Sequence, residues 1–189
     1  RLRFPRCTGP GGALLRPLVG FYLRRQFAGV HDVASFQKVI EKYMTAMIQD
    51  STSDFTVSGL ERLDPARPCL FIGNHRDIVL DPAFVNYALY SGGHDTVRIA
   101  IGDNLLTRDY VADLMRLNKC FIIRRSAKAP RQMLAALQEL SAYIAYSVLD
   151  ERAPVWIAQR EGRAKDGWDR TDPAIIKMLA LAKPRNLSL

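Results

Sequence analysis

The chain has 189 residues, with 27 Lys and Arg against 19 Asp and Glu for a formal net charge of +8, and it is 48% hydrophobic and 24% charged. A length near that of one ordinary domain, or one domain plus an appendage, excludes a large multidomain enzyme, and the apolar content excludes a disordered tail. Three cysteines, Cys7, Cys69 and Cys120, form neither a disulfide framework nor a C-x-x-C metal spacing, which fits a reducing compartment. No apolar run reaches the roughly 18 residues that a spanning helix needs, because Arg16, Arg24 and Arg25 interrupt the one stretch that approaches it. The sequence opens at Arg1, not Met, so an upstream segment is expected.

The charge is unevenly placed. Residues 1–30 carry Arg1, Arg3, Arg6, Arg16, Arg24 and Arg25 and no acid, whereas residues 31–150 carry 13 basic against 14 acidic side chains. The basic, apolar stretch from Leu14 to Arg25 suits an anionic membrane surface, where each Arg or Lys adds about 1 kcal/mol. A neutral middle with no zinc-finger, basic-zipper or RNP-type pattern speaks against nucleic acid as a partner. Residues 1–50 are therefore expected to form a basic, helical, membrane-associating segment, and residues 51–189 an α/β domain.

In chain order, Val33, Phe36, Ile40, Tyr43, Met44 and Met47 fall at helical spacings, which predicts an amphipathic helix over 33–48 with Asp32 as N-cap. A Ser-, Asp- and Pro-richer stretch follows, in which Phe55 to Leu60 is expected to form a strand. From Cys69 onward short apolar runs alternate with helical patterns. The runs are Cys69–Gly73, Thr96–Ile101, Lys119–Ile123 and Pro154–Ala158. Helices are expected from Asp81-Pro82 onward, through Met133 to Ile144, and from Pro173 to Leu181. The pattern predicts an α/β fold with a mostly parallel or mixed sheet flanked by helices. Ligands of such sheets bind beyond the carboxyl ends of the strands, which draws attention to the polar residues after the first, third and fourth runs.

After the first run, Asn74, His75, Asp77 and Asp81 place one imidazole near two carboxylates. A general base needs a neutral imidazole held in one tautomer, and a carboxylate on its other nitrogen provides that. Asp77 and Asp81 are both available as that partner, and the other role open to Asp81 is that of a helix N-cap before Pro82. His31 and His94 have no partners at metal-ligand spacing, so no metal site is expected. Cys69, Cys120 and Trp156 fit the core, and Trp168 stands in a charged loop.

Three ordered blocks resemble the glycerolipid acyltransferase superfamily, which includes the lysophosphatidate and glycerol-3-phosphate acyltransferases. They are Asn74-His75 with Asp81-Pro82, the run Phe121-Ile122-Ile123-Arg124-Arg125-Ser126, and Glu161-Gly162-Arg163 with Lys165 and Gly167, over about residues 55–180. The second block looks most like the glycerol-3-phosphate branch. His75 and Asp81 have five residues between them where the family pattern has four, so Leu80 stands at the family's aspartate position. Asp81 is favoured because it likewise precedes an apolar helix. The third block has no threonine after Gly162, and the family's fourth block is not found after Lys183, so the domain is expected to continue past the end of this sequence.

The resemblance implies transfer of a fatty acyl group from a coenzyme A or acyl carrier protein thioester to a hydroxyl of a glycerol phosphate or lysophospholipid. It implies no cofactor, and the work is placed at the cytoplasmic face of a membrane. It makes His75 and Asp81 the catalytic pair, with Asn74, Asp77 and Glu161 in support. Arg124, Arg125, Gly162, Arg163 and Lys165 become the phosphate-binding set, with Arg124 and Arg163 expected at the ends of two neighbouring strands.

Overall fold

Strands of a parallel sheet flanked by helices read as continuous apolar runs, and the four runs from Cys69 onward become strands. In the computed structural model, which describes residues 10–106, 108–127, 129–160, 162–166, 168 and 170–182, they form β1 (Leu70–Gly73), β2 (Arg98–Gly102), β3 (Cys120–Ile123) and β4 (Val155–Ala158). The sheet is parallel throughout, in the order β1-β4-β2-β3. Paired registers place Gly73 beside Ala158 and Gly102 beside Ile123, so the carboxyl ends of all four strands form one edge. β2 lies between β4 and β3, which corrects the expectation that the third and fourth runs are neighbours. β3, which Arg124 follows, and β4, which leads into the loop carrying Arg163, are therefore two strands apart.

Helices cover both faces. On one, α3 (Leu80–Ser91) and α4 (Asp109–Leu117) pack Leu89, Val85 and Met115 against Phe71, Ile99, Ile101 and Trp156. On the other, α5 (Pro130–Leu149) and α6 (Pro173–Leu179) pack Leu140, Ile144 and Met178 against Val155 and Ile157. Trp156 is 3% exposed, as expected of a core residue. α4 is an additional element between the second and third runs.

Two further corrections concern local structure. Phe55 to Leu60 is not a strand: the segment is irregular, Gly59 turns it at φ 93°, and a 3-10 turn follows over Leu60–Arg62. Its apolar residues serve packing instead, with Phe55 against the rings of Phe84 and Tyr87 at 5.3 and 5.9 Å. Asp81 does not cap α3, which already begins at Leu80. That task falls to Asp77, whose Oδ1 accepts the amide protons of Val79 and Leu80, both at 2.9 Å.

The N-terminal part is a helix pair, α1 (Pro10–Phe27) and α2 (Val33–Ser51). Asp32 caps α2 through a reciprocal box with Ser35, and Phe27 stacks on Phe36, itself 2% exposed. The α2 residue Gln37 donates to Thr96 Oγ1 at 2.7 Å, tying the pair to the strand region. Arg1, Arg3, Arg6, Cys7 and the side chain of Arg16 lie outside the described residues. Among the described residues no helix is long and apolar enough to cross a membrane.

Candidate active site

The site is built at the carboxyl edge, where β1 ends at Gly73 and the chain turns through Asn74. Asn74 Oδ1 accepts the His75 amide at 2.9 Å, which fixes the first step out of the strand. His75 Nδ1 then lies 3.1 Å from Asp81 Oδ2. The same oxygen accepts the amide protons of Arg76 at 2.6 Å and Asp77 at 2.9 Å. Because α3 starts at Leu80, Asp81 sits in its first turn and faces back over the loop, so the extra residue between His75 and Asp81 is absorbed there. Both side chains are mostly buried, 16% and 22% exposed.

This contact settles the geometry between the two carboxylates: Asp81 meets the imidazole and Asp77 caps the helix. A carboxylate at Nδ1 favours the tautomer with the proton on that nitrogen, leaving the lone pair on Nε2. Trp156 adds an edge-to-face contact to the His75 ring at 5.9 Å. That indole fits because residue 73 is glycine, where a Cβ would stand 2.7 Å from Trp156 Nε1.

The third block is brought against the first. Gln159 donates its amide to the Gly73 carbonyl at 2.9 Å, and Ala164 donates its amide to the His75 carbonyl at 2.6 Å. Between them Gly162 adopts φ 76°, a conformation glycine takes without steric cost. Arg163 comes near Asp77. The Asp77 carboxyl is held below its usual range first by the amides of Leu80 and Val79, then by the charges of Arg163 and His75. Arg163 and Lys165 are exposed. Glu161 lies outside the described residues.

The two arginines of the second block diverge. Arg124 Nη1 lies 3.4 Å from Glu139 Oε2 on α5, a pair roughly two-thirds exposed. Arg125 instead lays its stem over β2, with Cδ and Nε about 3.0 and 3.1 Å from where a Cβ on Gly102 would stand. The structure therefore sends Arg125 along the strand ends and Arg124 toward α5.

A cavity of about 260 Å³, chiefly apolar, lies between α2, α3, α4 and the sheet. Ile78, Val79 and Pro82, which flank Asp81 in sequence, line it together with Met44, Ile101 and Cys120. Spacing did not reveal this cavity, since its walls come from four separate elements. Among the described residues no group of three or more His, Cys, Asp or Glu side chains is placed to hold a metal ion.

A histidine oriented by a carboxylate, cations on the adjoining loop and an apolar chamber together provide what an acyl transfer requires. Comparison with known proteins gives the same assignment: the Acyltransferase family model matches residues 54–167, the span from the segment before β1 to the loop after β4. No curated protein matches the chain at a significant level. On this match and the three blocks, the chain belongs to the glycerolipid acyltransferase family, which includes the lysophosphatidate and glycerol-3-phosphate acyltransferases, and is an acyltransferase of lipid metabolism.

Proposed function

We propose that the protein transfers a fatty acyl group from a coenzyme A or acyl carrier protein thioester to a hydroxyl of glycerol 3-phosphate or 1-acylglycerol 3-phosphate. The observation that carries the reading is the 3.1 Å contact between His75 Nδ1 and Asp81 Oδ2, in a segment whose Ile78, Val79 and Pro82 line the apolar cavity and whose Asp77 feels the charge of Arg163. His75 Nε2 takes the proton of the acceptor hydroxyl as its oxygen attacks the thioester carbonyl carbon. A tetrahedral adduct forms, the C–S bond breaks, and the imidazolium returns the proton to the leaving thiolate. Asp81 holds the ring and stabilises the transient imidazolium without taking the proton. Arg125, Arg163 and Lys165 hold the acceptor phosphate, with Arg124 a more distant contributor because of Glu139. Asn74 and Asp77 keep the turn around His75 in shape. The acyl chain occupies the cavity beneath α2, where apolar walls replace water.

The reaction belongs at a membrane surface, where the acylated product, and 1-acylglycerol 3-phosphate as acceptor, partition through their acyl chains. α1 supports this reading: Leu18, Val19, Phe21 and Tyr22 are each more than half exposed, and Arg24 and Arg25 stand at its C-terminal end. A release assay tests the proposal. Free thiol should appear from a long-chain acyl thioester only when glycerol 3-phosphate or 1-acylglycerol 3-phosphate is added, with an ester product in equal amount. Acceptor-independent release would make the protein a thioesterase, and no turnover with either acceptor would make it a lipid-binding relative of the enzymes.

A further inference from the structure

The end of β2 carries a second arrangement that the mechanism has not used. Asp103 follows Gly102 directly, and its carboxylate reaches over the loop after β3. Oδ1 accepts the amide of Arg125 at 3.3 Å and Oδ2 the amide of Ser126 at 3.2 Å. The Arg125 amide is shared with the Ile123 carbonyl at 3.0 Å, and two successive amides held in this way restrict φ and ψ at Arg125, and with them the direction in which its side chain leaves the backbone. The Ser126 side chain and the amides of Ser126 and Arg125 hold the Asp103 carboxyl below the ordinary carboxylate range.

Gly102 supplies the complementary half. A Cβ there would collide with Asn104 Oδ1 and stand 3.0 Å from Arg125 Cδ and 3.1 Å from Arg125 Nε. Such contacts are tighter than ordinary packing, so a side chain at 102 would move the Asn104 side-chain amide and shift the Arg125 stem by a few tenths of an ångström. Neighbouring Arg124, with no such clamp on its own amide in the described contacts, pairs with Glu139 instead.

We propose that Gly102 and Asp103 are positioning residues that aim Arg125 along the strand ends, where it takes the acceptor phosphate: Asp103 fixes the backbone turn and Gly102 leaves the channel for the side chain. The inference rests on the reading of Arg125 as a phosphate-binding residue. Asp103 does not touch the phosphate; as an anion it would repel it, and its effect passes through Arg125 alone.

The test is a double-mutant cycle on the full chain, with glycerol 3-phosphate as acceptor and a long-chain acyl-CoA as donor. Arg125→Ala should raise acceptor KM by about tenfold or more, the range for losing one charged hydrogen-bonding partner. Asp103→Ala should raise acceptor KM similarly while kcat and donor KM stay within a few-fold of the parent. The double variant should be no worse than Arg125→Ala, since the second change removes a support with nothing left to support. Asp103→Asn, which keeps one acceptor oxygen, should fall between parent and Asp103→Ala. Gly102→Ala tests the same aim without touching the carboxylate, so it serves if Asp103→Ala unfolds. An unchanged KM in Arg125→Ala is a failure of the phosphate reading, visible before any Asp103 variant is made. A damaging Arg125→Ala beside parent-like Asp103→Ala and Gly102→Ala, or multiplying effects in the double variant, would overturn the positioning role.

Discussion

Asp81 Oδ2 accepts from three groups at once: His75 Nδ1 at 3.1 Å and the amides of Arg76 and Asp77 at 2.6 and 2.9 Å. The two amides belong to the loop that separates histidine from aspartate, so the carboxylate sits in a pocket made by its own approach segment. They also supply positive potential where the carboxylate charge resides. The pair is thus preorganised by backbone, a stiffer support than side chains alone.

From this arrangement, His75→Ala should lower acyl transfer by about 10² to 10⁴-fold, the usual loss on removing a general base, with the thermal transition nearly unchanged. Asp81→Asn should cost less than His75→Ala, because it weakens the orientation of the imidazole without removing it. Steady-state rates with saturating donor and acceptor, alongside thermal melts, check both. Activity of His75→Ala within a few-fold of the parent would return the residue to a structural role.

Asp77 should report on stability more than on chemistry. Its carboxylate caps α3, so Asp77→Ala should cost about 0.5–2 kcal/mol of folding free energy. In the folded state the Leu80 and Val79 amides hold its pKa below the ordinary carboxylate value. A depressed carboxyl stabilises the fold above the unfolded value and loses that contribution as pH falls through the folded value. Parent and Asp77→Asn should therefore differ most above about pH 4 and converge in stronger acid. Denaturant midpoints measured from pH 7 to pH 2 provide the comparison, and a constant difference across that range would remove the ionic role.

Much of this fold was legible because its strands are apolar throughout: the central β2 and β4 are covered on both faces, and the edge strands β1 and β3 keep apolar runs although Ile72 and Ile122 are exposed. Val155, Trp156 and Ile157 are all buried and adjacent, a pattern open to no alternating-strand reading. The expected helix over 33–48 with its Asp32 cap was equally local. Strand order was not local: β4 inserts between β1 and β2, a consequence of crossovers that no short window contains. Phe55 to Leu60 has strand-like residues, yet packing against Phe84 and Tyr87 decides its conformation. The same limit applies to adjacent arginines. Arg124 and Arg125 look equivalent in sequence, and it takes Glu139 and Asp103, 15 and 22 residues away, to send them in different directions.

That divergence carries its own prediction. Arg163→Ala should raise acceptor KM by about 10- to 150-fold, the range for losing a charged partner, while Arg124→Ala should change it only a few-fold. The Arg124–Glu139 pair is exposed and worth at most about 1 kcal/mol, so neither of its members should matter for folding. Donor and acceptor titrations separate the alternatives: an effect of Arg163→Ala on donor KM alone would reassign that cation to the phosphates of coenzyme A.

The cavity can be tested through Cys120, which lines it. Burial pushes the Cys120 thiol up to about 11, so at pH 8 almost none is thiolate and alkylation should be slow. In a variant with Cys7→Ser and Cys69→Ser, a long-chain acyl thioester should slow labelling of Cys120 further, and a short-chain one should do so less. Filling the same space by Ala83→Phe should reduce transfer from long-chain donors more than from short-chain ones. Equal labelling with and without long-chain ligand would place the acyl group elsewhere.

The membrane reading makes the last prediction, and α1 is where it can be isolated. Leu18 is 63% and Phe21 66% exposed, whereas Phe27, at the end of the same helix, stacks on the buried Phe36. Removing residues 1–30 would therefore disturb α2 as well as any membrane contact, and point changes are the cleaner probe. Leu18→Glu with Phe21→Glu should leave the thermal transition within a few degrees of the parent, since neither side chain belongs to the core. The same change should strongly weaken binding to vesicles containing anionic lipid. It removes apolar surface worth about 1.5–3 kcal/mol per buried side chain and adds two like charges to the vesicle face. Arg24→Glu with Arg25→Glu should act differently, reducing the salt dependence while leaving the apolar contribution, because screening works on charges and the Debye length falls from about 10 Å at 0.1 M to 3 Å at 1 M. Sedimentation of the parent and both variants with vesicles across that range decides the matter. Parent-like binding by both would move the membrane contact away from α1.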